Sequence, residues 1–151
     1  MAAQHSDNQR ISEALDELSC DLMGEALDRL AEGESMGVLL VVADANDQAV
    51  TFEFADDGEE ACLNGARDKV RSLARSKGDA SLDLGKPRYY ALCYEGAVAD
   101  ETGQFVDALI MEFGERGRQA YSAFSFFDGR GEGEDFRWTD PAPAGEVDSL
   151  L

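Results

Sequence analysis

Histidine, the side chain most often recruited for proton transfer and metal binding near neutral pH, occurs once. It is His5, in a polar leader ahead of any periodic segment. A Ser–His–Asp triad, a Cys–His pair and a multi-histidine metal site each need an imidazole fixed inside the fold. A leader histidine does not meet that need. The three cysteines, Cys20, Cys62 and Cys93, are far apart and form no Cys-x-x-Cys pair. Cys62, in the first turns of an expected helix, comes nearest to the electropositive setting that activates a thiol. Cys93 lies mid-strand among Tyr89, Tyr90 and Tyr94. Neither has a folded histidine to serve as base, so structural burial is the expected role. The chain has 32 carboxylates, and none can be singled out for acid–base work, which requires burial that raises a pKa. No catalytic residue, cofactor or metal is assigned, and an enzyme is not expected.

Three other patterns fail on their surroundings. Gly85-Lys86 has the ending of a phosphate loop, but Pro87 stands where Ser or Thr is needed and a strand follows instead of a helix. Gly129-x-Gly-x-Gly is interleaved with charges that are partly acidic and would repel a pyrophosphate. Asp44, Asn46 and Asp47 offer oxygens to calcium but lack the third ligand, central glycine and distal glutamate of the twelve-residue loop. A flexible loop and a hairpin turn are the respective expectations.

The one uneven chemical feature is charge. The formal net charge is −19, from 32 acids and 13 bases. It disfavours binding DNA or anionic lipid through the whole surface and favours cations or basic partners. Yet seven of the 13 bases fall between Arg67 and Arg88, against three acids. Arg67, Arg71 and Arg75 stand four apart and form one stripe on a helix. That stripe reads either as a solvated face, with bases favoured near the helix C-terminus, or as a docking stripe for an acidic surface such as a second copy of the chain.

The elements that would position these groups follow from periodicity. Ile11, Leu15, Leu18, Leu22, Ala26 and Leu30 predict a helix over Ile11–Leu30, with N-caps among Ser6, Asp7 and Asn8 and a stop at Gly33. Cys20, Met23 and Leu27 widen its apolar arc to roughly 200°, twice the roughly 100° of a one-sided helix. Such a helix is either sunk deep in its own domain or shared between a sheet and another subunit. Met36–Ala43 reads as a central strand buried on both faces, and Val50, Phe52 and Phe54 as a half-buried strand paired with it across the Asp44–Gln48 turn. A second helix is predicted over Asp57–Lys77. Asp57 and Glu60 start it, Leu63, Ala66, Val70 and Leu73 form its stripe, and Gly78 stops it. The loop Ser76–Lys86, with Leu82 and Leu84 tucked inward, leads to three strands in meander spacing, Arg88–Glu95, Gln104–Phe113 and Gln119–Phe127. The first puts Tyr89, Ala91 and Cys93 on one face and Tyr90, Leu92 and Tyr94 on the other. The last puts Phe124 and Phe126 opposite Tyr121 and Phe127.

This gives an α+β class with the order α-β-β-α-β-β-β, a five-stranded antiparallel sheet and two helices packed on it. From Ile11 to Phe127 that order resembles the roadblock, longin and profilin-like arrangement, in element order alone. A curved cystatin-like or nuclear-transport-factor-like sheet is the rival. The expected division is a polar leader over residues 1–10, one domain over 11–128 and a Gly/Pro/acidic extended tail over 129–151, anchored by Phe136 and Trp138. No apolar leader is visible, and the longest apolar run, Val38–Ala43, is far short of a membrane span. With odd, scattered thiols this implies a cytoplasmic protein and leaves a bacterial origin open.

The leading functional expectation is a small protein-interaction or scaffold domain. It would form a homo-oligomer or take an unknown protein partner, with no membrane and no direct nucleic acid. The expected partner-binding residues are Arg67, Arg71, Arg75, Cys20, Met23 and Leu27. The alternatives are an acidic DNA mimic that inhibits a nucleic-acid-binding protein, and a small-ligand binder with a cleft lined by Tyr89, Tyr90, Tyr94 and Tyr121.

Overall fold

The structure, a computed structural model, describes residues 11–55 and 58–151. His5 and the caps expected at Ser6, Asp7, Asn8 and Asp57 lie outside the described residues. Helix α1 spans Glu13–Ala31. Its cap is Ser12, whose hydroxyl accepts from the Leu15 N–H at 3.2 Å. It ends where Gly33, at φ +77°, turns the chain away. Helix α2 spans Glu59–Ser76 and closes through Lys77 in the left-handed region, followed by Gly78.

Strands β1 (Val38–Asp44), β2 (Ala49–Phe54), β3 (Pro87–Ala99), β4 (Phe105–Glu115), β5 (Ala120–Asp128), β6 (Arg137–Trp138) and β7 (Ala142–Val147) form one antiparallel sheet. The order is β2-β1-β3-β4-β5-β6, with β7 also on β5. The alternation of side chains along each strand separates two cores. On one face, Leu22, Ala26 and Leu30 of α1 meet Leu39, Val41, Ala91, Cys93, Leu109 and Met111. On the other, Cys62, Ala66, Val70 and Leu73 of α2 meet Val38, Leu40, Val42, Tyr90 and Leu92. Strand β1 feeds both and is buried at every position, as its unbroken apolar run requires. Leu84 tucks into the α2 core, with Leu82 packed at its margin.

The sheet has seven strands where five were expected. The two additions come from the segment expected to be an extended tail, and both pair with the edge of β5 that faces away from β4. Gly129, Gly131 and Gly133, all at positive φ, let the chain double back. The Gly131 N–H then reaches the Leu30 carbonyl of α1 at 2.9 Å. Phe136 is buried in the α1 core, 5.8 Å from the Phe127 ring. Trp138, the other expected anchor, stacks on Phe136 from outside and stays 54% exposed.

The acidic turn after β1 holds chain together. Asp44 is buried, and its carboxylate accepts backbone N–H groups from Asn46 at 2.8 Å, Gln48 at 3.1 Å and Gly85 at 2.8 Å. The Gly85 N–H above all, then those of Asn46 and Gln48, holds its pKa below the usual aspartate value. The turn thereby ties the β1–β2 hairpin to the loop that leads into β3.

Candidate functional site

The two helices do not cover the sheet equally. Helix α1 crosses β1, β3 and β4 on its face, whereas α2 lies over β1, β2 and β3 on the other. Among the described residues, no helix lies over the α2 side of β4 and β5. Register brings a set of apolar side chains together there. Ile110 pairs with Tyr94 on one side and Phe124 on the other, Ala108 pairs with Phe126, and Val98 pairs with Val106. Val98, Val106, Ile110, Phe124 and Phe126 are half-buried and belong to neither core. Phe124 and Phe126 meet edge to face, with centroids 5.1 Å apart. Gly96 lets the patch continue across β3, because a Cβ there would stand 2.5 Å from Ile110 Cδ1. Beyond Tyr94 and Ala108, β3 and β4 outrun β1 and β5 and project as a two-stranded ribbon. Near its end Phe105, on the opposite side, is 72% exposed.

A polar cluster bounds this face where α2 begins to cover the sheet. The Arg67 guanidinium donates to both oxygens of Glu112, at 3.3 and 2.5 Å. The Tyr94 hydroxyl donates to the same carboxylate at 3.2 Å. Glu112 is 7% exposed, so this fork sits in a medium where its charges need each other. The hydrogen bond to Glu112 is the main reason the Arg67 pKa is raised. Beside it opens a cavity of about 420 Å³ lined by Arg67, Arg71, Glu112, Glu146, Asp148 and Leu150. Leu150 itself is buried with Tyr90 in the α2 core.

The nearby titratable groups are set against nucleophilic or basic work. Burial first, with Glu112 adding to it, pushes Tyr94 up to about 12. Burial likewise pushes Tyr90 up to about 12, opposed by the Leu150 backbone, and its enclosed hydroxyl makes no hydrogen bond within ordinary limits. The Cys93 thiol is also held at about 12, again chiefly by burial. Near neutral pH these phenols and this thiol keep their protons. The arrangement supplies an anchored carboxylate and a hydrophobic floor, with no activated nucleophile among these groups.

The residues expected to bind a partner are dispersed. Arg67 is committed to Glu112, Arg71 lies on the surface beside Asp68 at 3.4 Å, and Arg75 is exposed. Leu27 is buried in the α1 core and Met23 packs against that core together with Phe136, which leaves Cys20 as the exposed member of the second apolar set. Through Phe136 the folded-back segment shares the core that takes up Leu27 and Met23. The four tyrosines do not line one cleft. Tyr90 and Tyr94 face the α2 side, while Tyr121 lies on the other side, in an apolar groove of about 260 Å³ with Ile11, Phe113 and Pro143. Tyr89 shares the Tyr121 side by strand alternation.

Ile110, Phe124 and Phe126 were absent from the expected site. A signal for them exists in β5, which carries aromatic residues on both faces. A strand of that kind needs a layer on each side, and two helices cannot cover both faces of a sheet this wide.

Comparison with family models, curated proteins and solved structures finds no match to this chain. Among the described residues, no group of three or more His, Cys, Asp or Glu side chains is placed to hold a metal ion. No described helix is long and apolar enough to cross a membrane.

Proposed function

We propose that the chain is a protein-interaction domain that docks another protein on the α2 side of β4 and β5. The observation that carries this reading is the contiguous set Val98, Val106, Ile110, Phe124 and Phe126, which belongs to neither core. Apolar sheet faces in folded proteins are covered by a further layer, and a contiguous patch left without one marks a binding surface. The burial of Leu27 and the pairing of Arg67 favour a different protein over a second copy, because two of the six residues first expected to join copies are used within one.

Solvent exposure measured with a soluble paramagnetic agent, alongside sedimentation, tests the proposal. The Ile110 methyls and Phe126 ring should relax several-fold faster than the Leu39 and Leu92 methyls, in a monomer. Protection equal to that of Leu39 in a monomer would place the patch in the core and defeat the reading. Protection in a dimer would assign the face to self-association instead.

A further inference from the structure

We infer that the occupant of this face is a basic amphipathic helix of the partner protein. The inference rests on the docking reading above and adds the partner's chemistry.

Three observations select it. The first is room. Helix α2 lies over β1 to β3, and among the described residues no helix continues that layer over β4 and β5. Two strands spaced by roughly 4.8 Å give about the 8–10 Å that separates packed helices, so a second helix fits beside α2. The second is hydrogen bonding. Around Ile110, Phe124 and Phe126, β4 is paired with β3 and β5, and β5 with β4 and with β6 or β7; only the ribbon beyond Tyr94 and Ala108 keeps free strand edges. Over those three residues an extended peptide would find no edge to pair with, whereas a helix satisfies its own backbone and brings only side chains.

The third is charge. Glu59 and Glu60 of α2 line a cavity with Tyr94 and Gly96 at one end of the patch. Asp148 lines the cavity beside the Arg67–Glu112 fork. The bases between them are engaged, Arg67 with Glu112 and Arg71 with Asp68. In a chain of net charge −19, that rim selects lysine and arginine flanking an apolar stripe. A second copy fits poorly. Helix α1 sets Glu13, Asp16, Glu17, Asp21, Glu25 and Asp28 against the single base Arg29, and α2 is already seated. An anionic bilayer is repelled on the same ground.

The test uses the full chain and synthetic helices of about 18 residues, or five turns. One has leucine at i, i+3, i+4 and i+7 with lysine elsewhere. The second has the same pattern with glutamate, and the third has the lysine composition in scrambled order. Calorimetry should show the patterned lysine helix binding at least about tenfold more tightly than either control, and more weakly in high salt. Backbone shifts should centre on Ile110, Phe124 and Phe126. Ile110→Asp should lower the affinity by about tenfold or more, with Phe126→Ser as a milder second variant. Glu17→Gln, on the exposed face of α1, should leave it within about twofold.

Equal binding of the scrambled peptide, or shifts centred elsewhere, would reduce the effect to diffuse charge and overturn the inference. Equal binding of the glutamate helix on the same face would overturn the cationic requirement while leaving the docking reading intact. Absence of binding to an exposed face would also overturn the inference, as would firm binding of the chain to phosphatidylglycerol vesicles. A face as protected as Leu39 in the free monomer would remove the docking reading itself.

Discussion

Arg67→Met is expected to lower the stability of the fold by about 2–4 kcal/mol in urea unfolding. Removing one partner of a buried ion pair typically costs about 3–5 kcal/mol, and the partial exposure of Arg67 calls for a reduction. The side chain of Glu112 is 9% exposed and that of Arg67 31%. Without the guanidinium, Glu112 keeps only the Tyr94 hydroxyl from the fork. Its charge is then left without an ionic partner in a poorly solvating medium. The same reasoning makes the double variant Arg67→Met with Glu112→Leu less damaged than Arg67→Met alone, because no charge is then left unpaired. A neutral single variant would mean that the pair behaves as a solvated surface bridge and does not fix the position of α2 over the sheet.

Phe136→Ala is expected to cost about 3–5 kcal/mol, the usual range for emptying a buried phenylalanine site. Phe136 stands in one core with Leu22, Ala26, Leu27, Leu30 and Phe127. It also fixes the start of β6, and through that strand the return of the chain along β5. Hydrogen exchange should therefore accelerate at Gly131, whose N–H bonds Leu30, and along β6 and β7, before it does in β1 or β3. Uniform acceleration throughout the sheet would show that the segment after Asp128 opens only together with the rest of the fold.

Much of this architecture could be read from residue order. The stripe of Leu22, Ala26 and Leu30 lies on the sheet, Val38–Ala43 is buried on both faces, and the expected division of β3 between Ala91 and Cys93 on one side and Tyr90 and Leu92 on the other holds. Strands β6 and β7 escaped because Pro141, Pro143 and three closely spaced glycines mimic a loop. Proline is tolerated on a sheet edge, and those glycines serve the turn that makes the edge possible. The ribbon beyond Glu95 escaped for a related reason, since Gly96 and Ala97 have little intrinsic strand preference. Arg67 was legible as part of a basic stripe. Its partner was not, because Glu112 lies 45 positions away and any of 32 carboxylates could have been brought to it. The apolar face of β4 and β5 escaped in the same way. Phe124 and Phe126 were placed on one side of their strand, but what lies above that side is decided by where α2 lands.

Under the docking proposal, Val98, Val106, Ile110, Phe124 and Phe126 form a surface open to a partner and contribute less to stability than either core does. The most direct test is the unfolding free energy of Phe126→Ser measured beside that of Phe136→Ala. The two phenylalanines are ten positions apart in the chain, one outside both cores and one inside. Phe126→Ser should cost at most about 2 kcal/mol, since a half-buried ring gives up only part of the roughly 1.5–3 kcal/mol of full burial, while Phe136→Ala loses about 3–5 kcal/mol. A loss in Phe126→Ser as large as that in Phe136→Ala would overturn the docking proposal, because the patch would then be holding the fold together.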